Sequence, residues 1–214
     1  MSYQLRITEI FYSLQGETSL TGLPTVFVRL TGCPLRCEYC DTTYAFKGGD
    51  WLQSDEIIKQ VSDFDAQYVC VTGGEPLAQK DCRLLLKDLC DKGFTVSLET
   101  SGSIDIQSVD PRVIKIVDVK TPGSAEQEKN LIKNYQYLTP TDQIKFVICD
   151  RTDYEWAKDW LNKYSLEDKC PVLFSPSEGV LEARQLADWI LEDHLRVRLQ
   201  IQLHKLLWGG GEGR

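Results

Sequence analysis

The sequence predicts an α/β fold: an incomplete barrel of about six parallel strands with helices on its outer side. Short β-rich segments alternate with helical patterns along the chain, and this alternation is typical of a parallel sheet. Eight βα units take roughly 250 residues, so 214 residues are too few for a complete barrel. No linker or repeat interrupts the alternation. We therefore expect one domain, residues 1–214, forming a partial TIM-type barrel.

The predicted strands are short apolar segments bounded by turn residues. They are Thr25–Leu30, Tyr68–Thr72, Phe94–Leu98, Val113–Val117, Gln143–Ile148, Val172–Phe174 and Arg196–Leu203. The carboxyl ends of parallel barrel strands share one rim, where the active sites of such folds lie. Polar or glycine-rich segments at the ends of several strands should therefore converge. These segments are residues 33–40, 73–76, 99–102, 118–120 and 200–204.

Four helices are predicted from apolar residues spaced three and four apart. They follow Ser54, span Asp81–Lys92, surround Trp156–Leu161 and lie near Leu181–Glu192. Ser54 is expected to cap the first helix. Gly93 is expected to end the second, because glycine adopts the left-handed conformation common at helix ends.

Composition excludes several classes of function. The net charge is −8 and no block of Lys or Arg occurs, which argues against direct nucleic-acid binding. No apolar run reaches the length of a membrane span, and the N-terminus lacks the apolar core of a signal peptide. A cytoplasmic protein is expected, with its cysteines reduced or metal-bound. Five of them lie in apolar surroundings and are expected to be small buried hydrophobic residues: Cys70, Cys82, Cys90, Cys149 and Cys170.

The three remaining cysteines, Cys33, Cys37 and Cys40, have the spacing C-x3-C-x2-C with no fourth cysteine nearby. A structural zinc site normally needs four ligands, and His194 and His204 are distant in sequence. A disulfide is disfavoured in the cytoplasm. Three thiolates can instead hold three corners of a [4Fe–4S] cluster and leave one iron open to a small molecule. The cluster is the favoured interpretation, and zinc stays an alternative.

The Gly-Gly-Glu-Pro segment Gly73–Pro76 follows a predicted strand. It is either an ordinary turn or a place where two glycines let a ligand approach the backbone. In the second case Glu75 or nearby carbonyls would accept hydrogen bonds from an ammonium group. With the cysteine triplet and Tyr39 before Cys40, this segment resembles the radical S-adenosylmethionine (SAM) superfamily. The resemblance implies a radical SAM domain in which the open iron binds SAM and a 5′-deoxyadenosyl radical is generated.

Four further motifs, Glu9–Glu17, Phe27–Cys33, Cys40–Thr42 and Leu203–Gly209, are similar to those of the 7-carboxy-7-deazaguanine synthase family. That resemblance implies a carbon–nitrogen lyase that converts 6-carboxy-5,6,7,8-tetrahydropterin to 7-carboxy-7-deazaguanine with loss of ammonia. This ring contraction belongs to the biosynthesis of queuosine, a tRNA modification, and of other 7-deazapurines. The family uses Mg2+ besides the cluster and SAM.

The same resemblance implies roles for individual residues. Contacts to the pterin substrate are implied for Leu14, Gln15, Gly16, Arg29 and Thr72. Contacts to SAM are implied for Tyr39, Cys40, Asp41, Gly74, Glu75, Ser101, Asp118, Val119 and Lys120. Thr42 is implied as the Mg2+ ligand. Glu17, Gln200 and His204 are further candidates, the last two because they end the last predicted strand and face the rim.

The resemblance also implies partners: the small-molecule pterin, an electron donor such as flavodoxin or ferredoxin, and a second copy of the chain in a homodimer. Two other functions stay open at this point. A glycyl-radical-enzyme activase also has the C-x3-C-x2-C spacing on a partial barrel. The second alternative is a non-enzymatic zinc or redox module. Analysis of the reaction product distinguishes the activase from a 7-carboxy-7-deazaguanine synthase. Metal analysis distinguishes the zinc or redox module from it.

Replacing Cys33, Cys37 or Cys40 with alanine removes one thiolate and is expected to bleach the brown colour of reconstituted protein. Visible absorbance, with iron and sulfide content, measures the loss. Colour that survives all three changes would contradict the cluster. About one zinc per chain without sulfide would favour the zinc alternative.

Overall fold

A computed structural model describes residues 2–209 and is built around one nine-stranded sheet. The strands are β1 (Gln4–Leu14), β2 (Pro24–Leu30), β3 (Asp50–Gln53), β4 (Tyr68–Gly73), β5 (Thr95–Thr100), β6 (Ile114–Val119), β7 (Gln143–Ile148), β8 (Val172–Pro176) and β9 (Arg198–Leu199). The helices are α1 (Ser54–Ser62), α2 (Cys82–Asp91), α3 (Arg151–Tyr164), α4 (Ala183–Glu192) and α5 (Leu203–Trp208). The strand order is β3-β1-β2-β4-β5-β6-β7-β8-β9.

The predicted partial barrel is confirmed. The strands β2 and β4 to β8 pair in parallel, with the two-residue β9 added beside β8. The sheet is open, since β3 and β9 lie at its opposite ends. Two strands were not predicted: β1, which pairs antiparallel with β2, and β3, which pairs antiparallel with β1. Most β1 side chains are only partly buried, so the clear alternation of a half-buried strand is weak there.

The helices bury one apolar face against the sheet, as their periodicity predicted. Ile57 and Val61 of α1 and Leu85 of α2 are fully buried in the same core cluster as strands β2, β4 and β5. A second cluster joins Tyr154 of α3 to Phe174 of β8. No helix within residues 2–209 is long and apolar enough to cross a membrane.

Two local expectations were wrong in detail. The first helix starts at Ser54 itself, preceded by Gln53 in extended conformation, and no side chain caps its backbone. Among the five other cysteines, three are buried, but Cys90 and Cys149 are partly exposed.

The predicted strand Arg196–Leu203 was wrong over most of its length. Only Arg198 and Leu199 pair with β8, and Gln200 adds one backbone hydrogen bond to the Phe174 carbonyl at 2.8 Å. The chain then turns, and α5 begins at Leu203, whose amide donates to the Gly16 carbonyl at 2.9 Å. The alternating pattern of residues 196–203 is typical of a strand, but the chain turns after Gln200 and contacts the loop after β1.

A buried ion pair joins β6 to the turn before β7. Lys115 Nζ lies 3.1 Å from Asp142 Oδ1, and the two side chains are 4% and 0% exposed. The same carboxylate accepts hydrogen bonds from the backbone amides of Lys115 (2.8 Å) and Thr139 (2.7 Å). Several donors thus compensate the cost of burying the charge.

Replacing Asp142 with alanine would leave Lys115 buried without its partner and should lower the free energy of unfolding by about 3–5 kcal/mol. Chemical denaturation measures the change. The matched control is Asp159→Ala at an exposed position of α3, expected to stay within about 0.5 kcal/mol of the unaltered chain. A loss at Asp142 no larger than the control's would contradict this account.

Candidate functional site

A cavity of about 450 Å3 lies at the carboxyl ends of the parallel strands. Its wall includes residues from β2 and from β4 to β8, together with α5 and the cysteine loop, which we define as residues 33–40. The predicted convergence of polar segments at one rim is therefore present in the structure.

The three cysteines line this cavity as partly exposed free thiols. Partial burial raises the pKa of the Cys33 and Cys37 thiols. Within residues 2–209, no three His, Cys, Asp or Glu side chains are grouped to hold one metal ion. A cubane cluster instead spreads its thiolate ligands over separate irons. Three thiols facing one cavity from one loop fit such a cluster.

Two glycines let the end of β4 lie against the end of β2 and the start of the cysteine loop. A Cβ atom at Gly74 would lie 2.3 Å from the Gly32 carbonyl oxygen and 2.9 Å from Cys33 Cβ. Gly73 has φ +147°, and a Cβ there would lie 2.2 Å from the Leu30 carbonyl oxygen. No larger residue fits without moving the backbone.

The Glu75 side chain was expected to contact SAM, but it does not line the cavity. It is fully buried and accepts hydrogen bonds from the Leu77 amide (2.9 Å), Thr100 Oγ1 (2.9 Å) and the Ser101 amide (2.6 Å). Because these donors come from the turn that follows β4 and from the end of β5, Glu75 holds the two strand ends together. Ser101, which does line the cavity, is positioned by it.

Asp118 and Lys120 line the cavity as an ion pair, with 2.8 Å between Oδ2 and Nζ. Burial alone would lower the pKa of Lys120, but Asp118 and Tyr39 raise it. Asp118 Oδ1 and the Tyr39 hydroxyl are buried and have no hydrogen-bond partner among the described residues. Val119 was expected to contact SAM; instead it packs in the core, because successive strand residues point to opposite faces.

Arg29 reaches the cavity from β2 and is held by Glu9. Its Nε donates to Glu9 Oε1 at 2.7 Å, and the Tyr44 hydroxyl donates to the same oxygen at 2.8 Å. Burial alone would lower the pKa of Arg29, but the hydrogen bond with Glu9 raises it. Beside it, Thr72 Oγ1 donates to Glu99 Oε2 at 2.8 Å. The guanidinium is therefore a fixed cation at this wall.

The loop Leu14–Glu17 forms another wall and is covered by α5. A Cβ atom at Gly16 would lie 2.1 Å from His204 Nδ1, so the absence of a side chain there admits the imidazole. Burial lowers the pKa of His204. The amide nitrogen of Gln15 is buried without a hydrogen-bond partner among the described residues.

Polar contacts fasten α5 across the cavity. Lys145 forms an ion pair with Glu17, and Gln202 Nε2 donates to Glu17 Oε1 at 2.8 Å. On the other side, Lys205 Nζ lies 2.9 Å from Asp41 Oδ2. Burial alone would raise the pKa of Glu17, but the Lys145 ammonium and the hydrogen bonds lower it.

Thr42 lines the cavity beside this contact and donates from Oγ1 to Asp41 Oδ1 at 2.9 Å. Gln200, a further candidate, does not line the cavity: its side chain is buried and donates to the Ile201 carbonyl at 2.7 Å. Its placement follows from the short β9, which ends before the rim.

Several cavity residues were missed by sequence reasoning. They are Lys145, Ser175, Ser177, Glu178 and Lys205. Lys145 is an isolated cation inside an apolar strand. Ser175 lies near the carboxyl end of β8 and Ser177 directly follows it, so all three residues carried a usable signal. Lys205 carried none, because its contact with Asp41 depends on the turn into α5.

Comparison with known proteins agrees with this geometry. Residues 27–163 match the Radical SAM superfamily. A 7-carboxy-7-deazaguanine synthase from Chlorobaculum tepidum is 47% identical, over 95% of this chain and 94% of its own length. The chain belongs to the 7-carboxy-7-deazaguanine synthase family. A relative of the same name from Koribacter versatilis is 45% identical, over 95% of this chain and 97% of its own.

The fold of this chain is also similar to that of a solved structure. The crystal structure of QueE from Escherichia coli superposes with a TM-score of 0.77 at 24% identity, covering 94% of this chain and 95% of that one. As a radical SAM enzyme, the family member described here uses a [4Fe–4S] cluster and SAM. Family membership decides against the glycyl-radical activase and against the zinc module.

Replacing Glu17 with glutamine should weaken the dependence of the free energy of unfolding on pH below neutrality. The pKa of Glu17 is lower in the folded chain than its ordinary value of 4.5, so its stabilisation is present above that value and lost as pH falls through the folded pKa. The variant should therefore be less stable than the unaltered chain at pH 7 and lose less on acidification. Denaturant titrations between about pH 3 and pH 7 measure this difference.

The control is Glu56→Gln, which removes an exposed carboxylate of α1. The free energy of unfolding of this variant should vary with pH as that of the unaltered chain does. If the free energy of unfolding of Glu17→Gln also varied with pH as that of the unaltered chain does, the ion pair between Glu17 and Lys145 would not contribute to stability as described.

Proposed function

We propose that this chain converts 6-carboxy-5,6,7,8-tetrahydropterin to 7-carboxy-7-deazaguanine with loss of ammonia, in the biosynthesis of queuosine and other 7-deazapurines. The observation that carries the proposal is one cavity lined by the cysteine triplet, by a fixed arginine and by Gln15, whose side-chain nitrogen has no hydrogen-bond partner among the described residues. The relatives of the same family, aligned along nearly their whole length, support the same reaction.

The cysteine triplet would hold the cluster, and SAM would occupy the adjoining wall. When bound, the cluster and SAM supply hydrogen-atom abstraction from the substrate. Tyr39, Cys40, Asp41, Gly74, Ser101, Asp118 and Lys120 line this wall. Gly74 lets this wall pack closely against Gly32 and Cys33, while the unpaired Asp118 Oδ1 is an acceptor for a hydroxyl or ammonium group. Glu75 and Val119 act from behind the wall.

The pterin would lie between the Leu14–Gly16 loop and Arg29. A pterin edge presents donors and acceptors in one plane, which backbone groups and the Gln15 amide can match. A carboxylate accepts parallel hydrogen bonds from a guanidinium, so Arg29 would take the 6-carboxyl group. Thr72 and Glu99 lie beside it, and His204 closes the pocket from α5.

Thr42 would bind Mg2+ together with substrate oxygens and water, since Mg2+ requires six oxygen ligands and keeps several waters. The adjacent Asp41 carboxylate adds a negative charge that favours a cation. We propose in addition that the protein is cytoplasmic, comprises a single domain and forms a homodimer. Its cluster would receive electrons from a flavodoxin or ferredoxin.

Arg29→Lys keeps the charge but loses the planar fork, and should lower kcat/KM for the pterin by about ten- to a hundredfold. The assay is anaerobic product formation with dithionite, Mg2+ and SAM. SAM cleavage without substrate should persist, because Arg29 faces the proposed substrate and not SAM. Loss of both activities would contradict this division.

The control is Arg112→Lys, on the surface between Asp91 and Asp110, which should not change kcat/KM. If the unaltered chain, loaded with its cluster, gives no 7-carboxy-7-deazaguanine under these conditions, the proposed function is wrong.

A further inference from the structure

The cysteine loop contains no helix or strand, and its middle is held by a different part of the chain. The backbone amide of Arg36 donates to Glu126 Oε1 at 2.5 Å. The backbone amide of Glu38 donates to the Ser124 carbonyl at 3.2 Å. These two amides flank Cys37 directly. The segment after β6, residues 121–126, therefore fixes the backbone on both sides of the central cysteine.

Contacts within this segment orient the Glu126 side chain. Ser124 Oγ donates to the Thr121 carbonyl at 2.6 Å and accepts from the Glu126 amide at 3.0 Å. Ala125 adopts a left-handed conformation with φ +60°. Such a conformation is uncommon for alanine and persists where surrounding contacts determine it. The turn thus aims the Glu126 carboxylate at the cysteine loop.

A buried carboxylate on α3 anchors the segment from the other side. Asp153 is 1% exposed and accepts hydrogen bonds from Thr121 Oγ1 (3.0 Å), the Gly123 amide (2.8 Å) and the Cys149 amide (3.0 Å). A Cβ atom at Gly123 would lie 2.5 Å from Asp153 Oδ2, so the close approach requires glycine. Asp153 therefore joins the ends of β6 and β7 beneath the turn.

We infer that Glu126 is a positioning residue for the iron–sulfur cluster and that Asp153 holds it in place through residues 121–124. This inference rests on the cluster site proposed above. A loop without secondary structure must be ordered by outside contacts if its thiolates are to keep their spacing. The Glu126 carboxylate supplies a charge-assisted hydrogen bond to that loop. It also places a negative charge beside it, and nearby charge and hydrogen bonds set cluster potentials.

The test compares cluster release from full-length, anaerobically reconstituted protein. Visible absorbance is followed after addition of excess EDTA. Glu126→Ala should release its cluster about tenfold faster than the unaltered chain, because a hydrogen bond to a charged group is lost. Glu126→Gln keeps an acceptor oxygen and should restore release to within about twofold. The same Gln variant should have a more positive reduction potential, because one negative charge is removed.

The matched control is Glu128→Ala, which removes an exposed carboxylate two residues away and should release its cluster at the unaltered rate. If Glu126→Ala also releases at that rate while the unaltered chain is fully loaded, this inference alone is overturned. If the unaltered chain takes up no cluster, both the inference and the proposed function fail. A Glu126→Gln potential equal to that of the unaltered chain would overturn the electrostatic part.

Asp153→Asn tests the anchor with a side chain of the same shape. It keeps one acceptor oxygen and should accelerate release less than Glu126→Ala does. Combined with Glu126→Ala, it should add little, because both changes act on the same contact. Fully additive effects would show that Asp153 acts independently of Glu126 and would overturn the proposed linkage.

Discussion

The close approach of the β4 end to the cysteine loop is the constraint on which the rest of the site depends. Gly74 allows the backbone of Gly32 to come within contact distance, and the Glu75 amide donates to the Gly32 carbonyl at 2.8 Å. The buried Glu75 carboxylate then ties this junction to the end of β5. Because a buried carboxylate is tolerated only when several donors satisfy it, the two strand ends and the loop are fixed as one unit.

Charged groups around the cavity occur as preformed pairs. Arg29 is held by Glu9, Lys120 by Asp118 and Lys145 by Glu17. Each pair limits the cost of keeping an ion in a poorly hydrated site. Each pair also fixes the orientation of its cation toward the cavity, so ligand binding needs little rearrangement of the side chains that line it. This arrangement suits a site that must exclude water from a reactive radical.

The covering of the cavity by α5 is a separate feature, built from contacts distant in sequence. Glu17 and Asp41 receive Gln202 and Lys205 from the C-terminal segment. These contacts connect the loop after β1, the residue following Cys40 and the last helix.

The sequence by itself determined the parallel sheet and the open barrel, and it favoured an iron–sulfur cluster at the cysteine triplet. Strand alternation and the spacing of Cys33, Cys37 and Cys40 are local signals that do not depend on distant partners. It did not determine the antiparallel β1, the turn at Gln200 or the covering helix α5. Those features are set by contacts such as Gln202 with Glu17, which are separated by 185 residues. Burial likewise decided that Glu75 supports the site from behind, because a side chain's facing depends on the packing around its strand end.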